Sequence, residues 1–172
     1  MRGLTNSSNR RQKNVFYIYL FLTLVCVAFI FGNSLSDGEE SGRQSGKIVQ
    51  AVVKAAEFFN IRITDVVLLS HIVRKSAHFL EFALLGALTF MTLRRIRICR
   101  YAQVYFSVSF CLLIAACDEY IQTFRSGRSG QVSDVFLDLS GSATAIALCI
   151  LFCFLRERKM KKEAHKKENA NT

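Results

Sequence analysis

Charge is missing from this chain in long blocks. Residues 15–32 (VFYIYLFLTLVCVAFIFG), 82–93 (FALLGALTFMTL), 101–117 and 139–155 contain no Asp, Glu, Lys or Arg. A helix needs about 20 mainly apolar residues to cross the hydrocarbon core of a bilayer. The second block reaches that length when it is extended back to Ser76 through Glu81 and His78. A soluble helix carries a polar face, and these runs are apolar all round. They disfavour a soluble domain, although a chain of 172 residues that is 51% hydrophobic would be long enough for one.

Cysteine pairing is also missing. Cys26, Cys99, Cys111, Cys117, Cys149 and Cys153 all lie in or beside the apolar blocks, with no CxxC and no paired spacing. That excludes a disulfide framework and leaves small polarizable packing residues. The first apolar run has a basic flank, but no A-x-A site follows it, and it is longer than the usual apolar region of a signal peptide. It is expected to stay as an uncleaved first helix, and cleavage would leave the orientation of the other spans unchanged. No internal repeat is visible.

Acidic residues are few, 13 against 23 Lys and Arg, for a net charge of +10. The basic residues flank hydrophobic runs and do not form a groove with interleaved aromatics, so nucleic acid is not the expected partner. Four basic residues lie in the N-terminal tail, four in RRIRICR (94–100) and seven after Leu155, against eight elsewhere. With four spans the three basic groups share one face, and the positive-inside rule makes that face cytoplasmic.

The expectation is an all-α integral membrane protein, a four-transmembrane-helix bundle with both termini inside. Basic cytoplasmic tails over 1–14 and 156–172 flank a membrane domain over 15–155, with spans near 15–32, 76–93, 101–121 and 135–155. Residues 33–46 (NSLSDGEESGRQSG) read as an exposed loop. Residues 47–60 place Val49, Val52, Val53, Ala56 and Phe59 at helical spacing, an amphipathic helix serving either as a lid or as a packing element. Thr64 is the expected N-cap of the second helix and Ser133 that of the fourth. Ser126–Gly130 reads as a tight turn. Ala83 with Ala87, and Gly141 with Ala145, suggest close packing of the second and fourth spans.

Polar residues gather at the span ends away from the tails. In RKSAHFLE, Arg74 and His78 are i,i+4 and His78 and Glu81 are i,i+3, so the three share a helix face. The third span ends in DEYIQ, with Asp118, Glu119 and Gln122 at the same spacings, and Asp134 and Asp138 are i,i+4 in the fourth. Three helices thus converge on one outer polar layer. Lys75 and Arg125 suit helix-end ion pairs that snorkel to water. Glu81, Asp138 and His78 lie deeper, where an ionisable group points to function.

RKSAHFLEFALLG and DEYIQTFRSGRSGQVSDVFLDLSG, with FGNSLSDGEESGRQSG before them, resemble the signature blocks of the VanZ-like family over about residues 29–145. The resemblance rests on Lys75, His78, Glu81, Asp118, Glu119, Gln122, Arg128, Asp134 and Gly141. Asp138 departs from it, standing where the family usually has Asn. The resemblance implies a small multi-pass protein of the bacterial cytoplasmic membrane, in a family associated with resistance to the glycopeptide teicoplanin. It supplies no reaction.

Three functions fit. The first is a binding protein of the envelope, recognising a glycopeptide, lipid headgroup or wall precursor through Lys75, His78, Glu81, Asp118, Glu119, Gln122, Arg128, Asp134 and Asp138. Arg128 and the start of the fourth helix would then hold an anion, in competition with Asp134. The second is a membrane-embedded hydrolase or transferase acting on a lipid or wall precursor. His78, Glu81, Asp118 and Glu119 are its catalytic candidates, and a divalent cation is possible on Asp118, Glu119, Asp134 and Asp138. No nucleophile signature accompanies them. The third is a proton-coupled transporter, which lacks a matching polar set in the inner half.

Overall fold

The computed structural model describes residues 2–59, 63–96 and 98–169. Those residues form five helices and no strand: α1 (Arg2–Ser34), α2 (Gly38–Phe58), α3 (Val66–Leu93), α4 (Arg100–Gln122) and α5 (Val132–Asn169). The sequence has no proline, so no helix loses an internal N–H donor. Four stretches are long and apolar enough to cross a membrane: Gln12–Ser34, Val66–Leu93, Arg100–Gln122 and Val132–Glu163. They expose Phe21, Phe29, Leu84, Leu113, Phe136 and Phe152, as helices facing lipid would.

Several boundaries depart from the sequence reading. The basic tails are helical, because α1 reaches back to Arg2 and α5 continues to Asn169. Beyond Arg156 the sequence is rich in Lys, Glu and Arg and has no Gly or Pro to stop a helix. The stretch expected as a loop over 33–46 is largely the first half of α2. Asp37 stands at its N-cap without a side-chain cap bond, and Glu39 and Glu40 in the first turn complement the helix dipole. On α2, Val49 is buried and Val53 and Ala56 half-buried, but Val52 and Phe59 are exposed. Asp65, not Thr64, caps α3 by accepting from the Leu68 amide at 2.9 Å. Ser133 lies inside the first turn of α5, which begins one residue earlier at Val132.

The far end of the bundle is tied across three helices. Glu157 of α5 accepts from Arg94 and from Arg100, each at 3.3 Å, and Arg95 stacks over the Tyr19 ring at 5.4 Å. The core between the ends contains Cys26, Ile30, Phe82, Leu85, Cys111, Ile114 and Ala115. Helices α3 and α5 make the most extensive pairing. The expected partnership of second and fourth spans is therefore present, and its close glycine contacts are Gly141, one of the residues expected there, against Phe79, and Gly86 against Ser142.

Candidate functional site

The site begins with that close crossing. A Cβ added at Gly86 would stand 2.6 Å from the Ser142 carbonyl oxygen, and one at Gly141 would fall on the Phe79 carbonyl. Only glycine allows α3 and α5 to approach this closely at these points. The Ser142 hydroxyl donates to the carbonyls of Phe82, at 3.0 Å, and Asp138, at 3.1 Å. With the two backbones so near, His78 on α3 faces Asp138 on α5, and Nδ1 lies 3.8 Å from Oδ1. One turn earlier on α5, Asp134 pairs with Lys75.

Helix α4 brings in Asp118, which is fully buried. Its Oδ1 accepts from the Ser34 hydroxyl and its Oδ2 from Gln122 Nε2 at 2.9 Å. Gln122 also donates to Glu119 Oε1 at 3.2 Å, while Glu119 Oε2 takes the Gln131 amide at 2.9 Å. The start of α5, expected to help hold an anion, is thus already engaged by an acid of the chain itself. Glu81 accepts from Asn33 Nδ2 at 2.9 Å. Asn33 and Ser34 belong to α1, so four helices build the layer where the sequence suggested three. The available signal was two hydrogen-bonding residues placed at the end of the 15–32 apolar run.

Arg128 arrives from the turn between α4 and α5. Gly127 takes φ +72°, a left-handed conformation suited to glycine, whereas Gly130 does not share it. The turn is clamped to the start of α2: the Gly38 amide donates to the Ser126 carbonyl at 3.0 Å, and a Cβ on Gly38 would meet the Gly127 carbonyl at 2.5 Å. Two cavities flank the resulting Arg128 position. One of about 380 Å³ lies among α1, α2 and α3, bordered by Asn33, Ser41, Ser45 and Glu81. A smaller one of about 70 Å³ is bordered by Lys75, Gln122, Gln131 and Asp134. Arg74, His78 and Arg128 line both. Burial, followed by the neighbouring Arg74, pulls the Arg128 guanidinium below its ordinary value, while Asp118, Glu119 and Asp37 pull the other way.

Comparison with known families places this arrangement. The VanZ/LLP1 family model matches residues 16–153. The chain belongs to the VanZ/LLP1 family. The matched segment begins in α1 and ends in α5, so every residue of the polar layer lies inside it. No curated protein and no solved structure matches the chain.

Within this VanZ/LLP1 bundle the expected site residues do not form one uniform cluster. Lys75 with Asp134, and Glu119 with Gln122 and Gln131, are satisfied pairs at the helix ends. The four acids considered together as cation ligands, Asp118, Glu119, Asp134 and Asp138, do not assemble as a set. Instead His78, Asp118 and Asp138 bring one ligand-type atom each to within 4.8 Å of one another. Arg125, expected in a helix-end ion pair, makes none among the described residues, and its Nε is buried without a hydrogen-bond partner.

Proposed function

We propose that this VanZ/LLP1 protein works at the cell envelope, with its polar layer facing outside, by recognising an anionic group on a wall precursor, a lipid headgroup or teicoplanin. One observation carries the reading: Arg74 and Arg128 border the same two cavities, and among the described residues neither has a carboxylate within ion-pair distance. Like-charged guanidiniums beside an open cavity favour an anion, and arginine holds phosphate or carboxylate in a bidentate grip. The Ser41 hydroxyl, on the border of the larger cavity, adds a neutral donor beside them. The outward orientation rests on the basic residues gathered at the opposite end.

The test uses Arg74→Gln and Arg128→Gln in cells and in nanodiscs. Membrane level, teicoplanin susceptibility and binding of three probes are measured: teicoplanin, phosphatidylglycerol against phosphatidylcholine, and a short-chain polyprenyl-diphosphate precursor. The expected result is normal membrane level with at least tenfold weaker binding of one probe. Equal binding of all three probes by wild type and both variants would sink the reading.

A further inference from the structure

The deepest part of the layer is not explained by anion recognition. Asp138 has no exposed surface, and neither of its carboxylate oxygens has a hydrogen-bond partner among the described residues. The Nδ1 of His78, which faces it, is likewise buried and unpartnered. A buried carboxylate without donors is costly, and folded proteins pair such groups or place them on a metal. Lys75 is taken by Asp134, and Glu81 is held by Asn33, so neither completes the Asp138 environment.

We propose that His78, Asp118 and Asp138 bind a divalent transition cation of the zinc or manganese type beneath the Arg128 cavities. Their ligand-type atoms already lie within 4.8 Å of one another, from three different helices. Metal bonds of about 2.0–2.2 Å place tetrahedral ligand atoms roughly 3.4 Å apart. The 3.8 Å separation of His78 Nδ1 and Asp138 Oδ1 lies close to that spacing. Asp118 comes with supporting donors: Ser34 fixes one oxygen and Gln122 the other, and each oxygen keeps a further lone pair for the ion. One imidazole with two carboxylates favours zinc or manganese over magnesium, which prefers oxygen ligands and keeps its waters. A 2+ ion balances the two buried carboxylates beside a neutral His78. Three protein ligands leave a position open towards the cavities that His78 borders. The site goes beyond the anion reading and does not require it.

The experiment uses full-length, tag-free protein, stripped with chelator and returned to nanodiscs without anionic ligand. It is equilibrated with Zn²⁺, Mn²⁺ or Mg²⁺ in separate arms and desalted, and metal per chain is measured by mass spectrometry. The expected result is about one Zn²⁺ or Mn²⁺ retained per chain and little Mg²⁺. His78→Gln and Asp138→Asn should each weaken retention at least tenfold, while Glu157→Gln at the far end should not. Retention of neither Zn²⁺ nor Mn²⁺ by the wild type, preferential retention of Mg²⁺, or undiminished binding by Asp138→Asn would overturn the site. The wild-type arms decide even if a variant fails to fold. Because no anion is present, a negative result here is separate from failure of the proposed function.

Discussion

Replacing Gly86 by Ala tests whether the α3–α5 crossing holds the site together. The new Cβ would stand 2.6 Å from the Ser142 carbonyl oxygen, 2.8 Å from its Cα and 3.1 Å from its carbonyl carbon. Carbon atoms in ordinary contact are about 3.5–4.0 Å apart, so the helices must separate by about 1 Å. All three neighbours are backbone atoms, so no side chain can rotate away. Overpacking of this kind costs about 1–3 kcal/mol, and the helix preference of Ala over Gly returns roughly 0.5–1 kcal/mol. The net loss is about 1–2 kcal/mol, or about 2–8 °C in Tm for a chain of this size. Thermal unfolding in detergent reads it, with Gly32→Ala as the control, because a Cβ there meets nothing within 4 Å. The control should keep or raise Tm. If Gly86→Ala melts with the wild type, or Gly32→Ala falls as far, the close-contact reasoning is wrong.

Asn33→Ala removes the donor to Glu81 and should destabilise by about 0.5–1.5 kcal/mol, the net range for an intramolecular hydrogen bond, read as a lowered Tm. A double-mutant cycle on Lys75 and Asp134, whose side chains are 25% and 20% exposed, should give a coupling of about 1 kcal/mol, and zero coupling would show that the pair is incidental. Glu157→Gln removes exposed pairs with Arg94 and Arg100 and should change Tm little, since surface pairs contribute about 0–1 kcal/mol. Cys99 is exposed in the loop before α4. A membrane-impermeant maleimide should label it in inverted vesicles and not in intact spheroplasts, with Cys99→Ser as the blank. Labelling from outside would reverse the proposed orientation and place the polar layer in the cytoplasmic half.

The four spans were legible because a bilayer imposes its length directly on the sequence: a run without charge is a run that can lie in hydrocarbon. The helix ends were less legible. Glycine and serine over 33–46 read as loop by composition, yet Glu39 and Glu40 following Asp37 are themselves a helix-start signal, and α2 begins there. The stretch after Arg156 read only as a basic flank, yet α5 continues through it to Asn169, because polarity sets exposure and not helicity.

The site shows the same division. Helical spacing put Arg74, His78 and Glu81 on one face and Asp134 and Asp138 on another, and that required only the 3.6-residue period. Which acid meets which partner depends on how deeply two helices interlock. That was set by Gly86 and Gly141, whose missing side chains bring the α3 and α5 backbones together. Had the crossing closed at Ala83 and Ala87, the facing register would be set elsewhere along α3, and the His78–Asp138 approach would not follow from it. The 3.8 Å separation between His78 and Asp138 is therefore a consequence of two absent methyl groups several residues away. For that reason, backbone contact at Gly86 and metal retention at Asp138 should fail together: a substitution that parts the helices at one place should loosen the cation at the other.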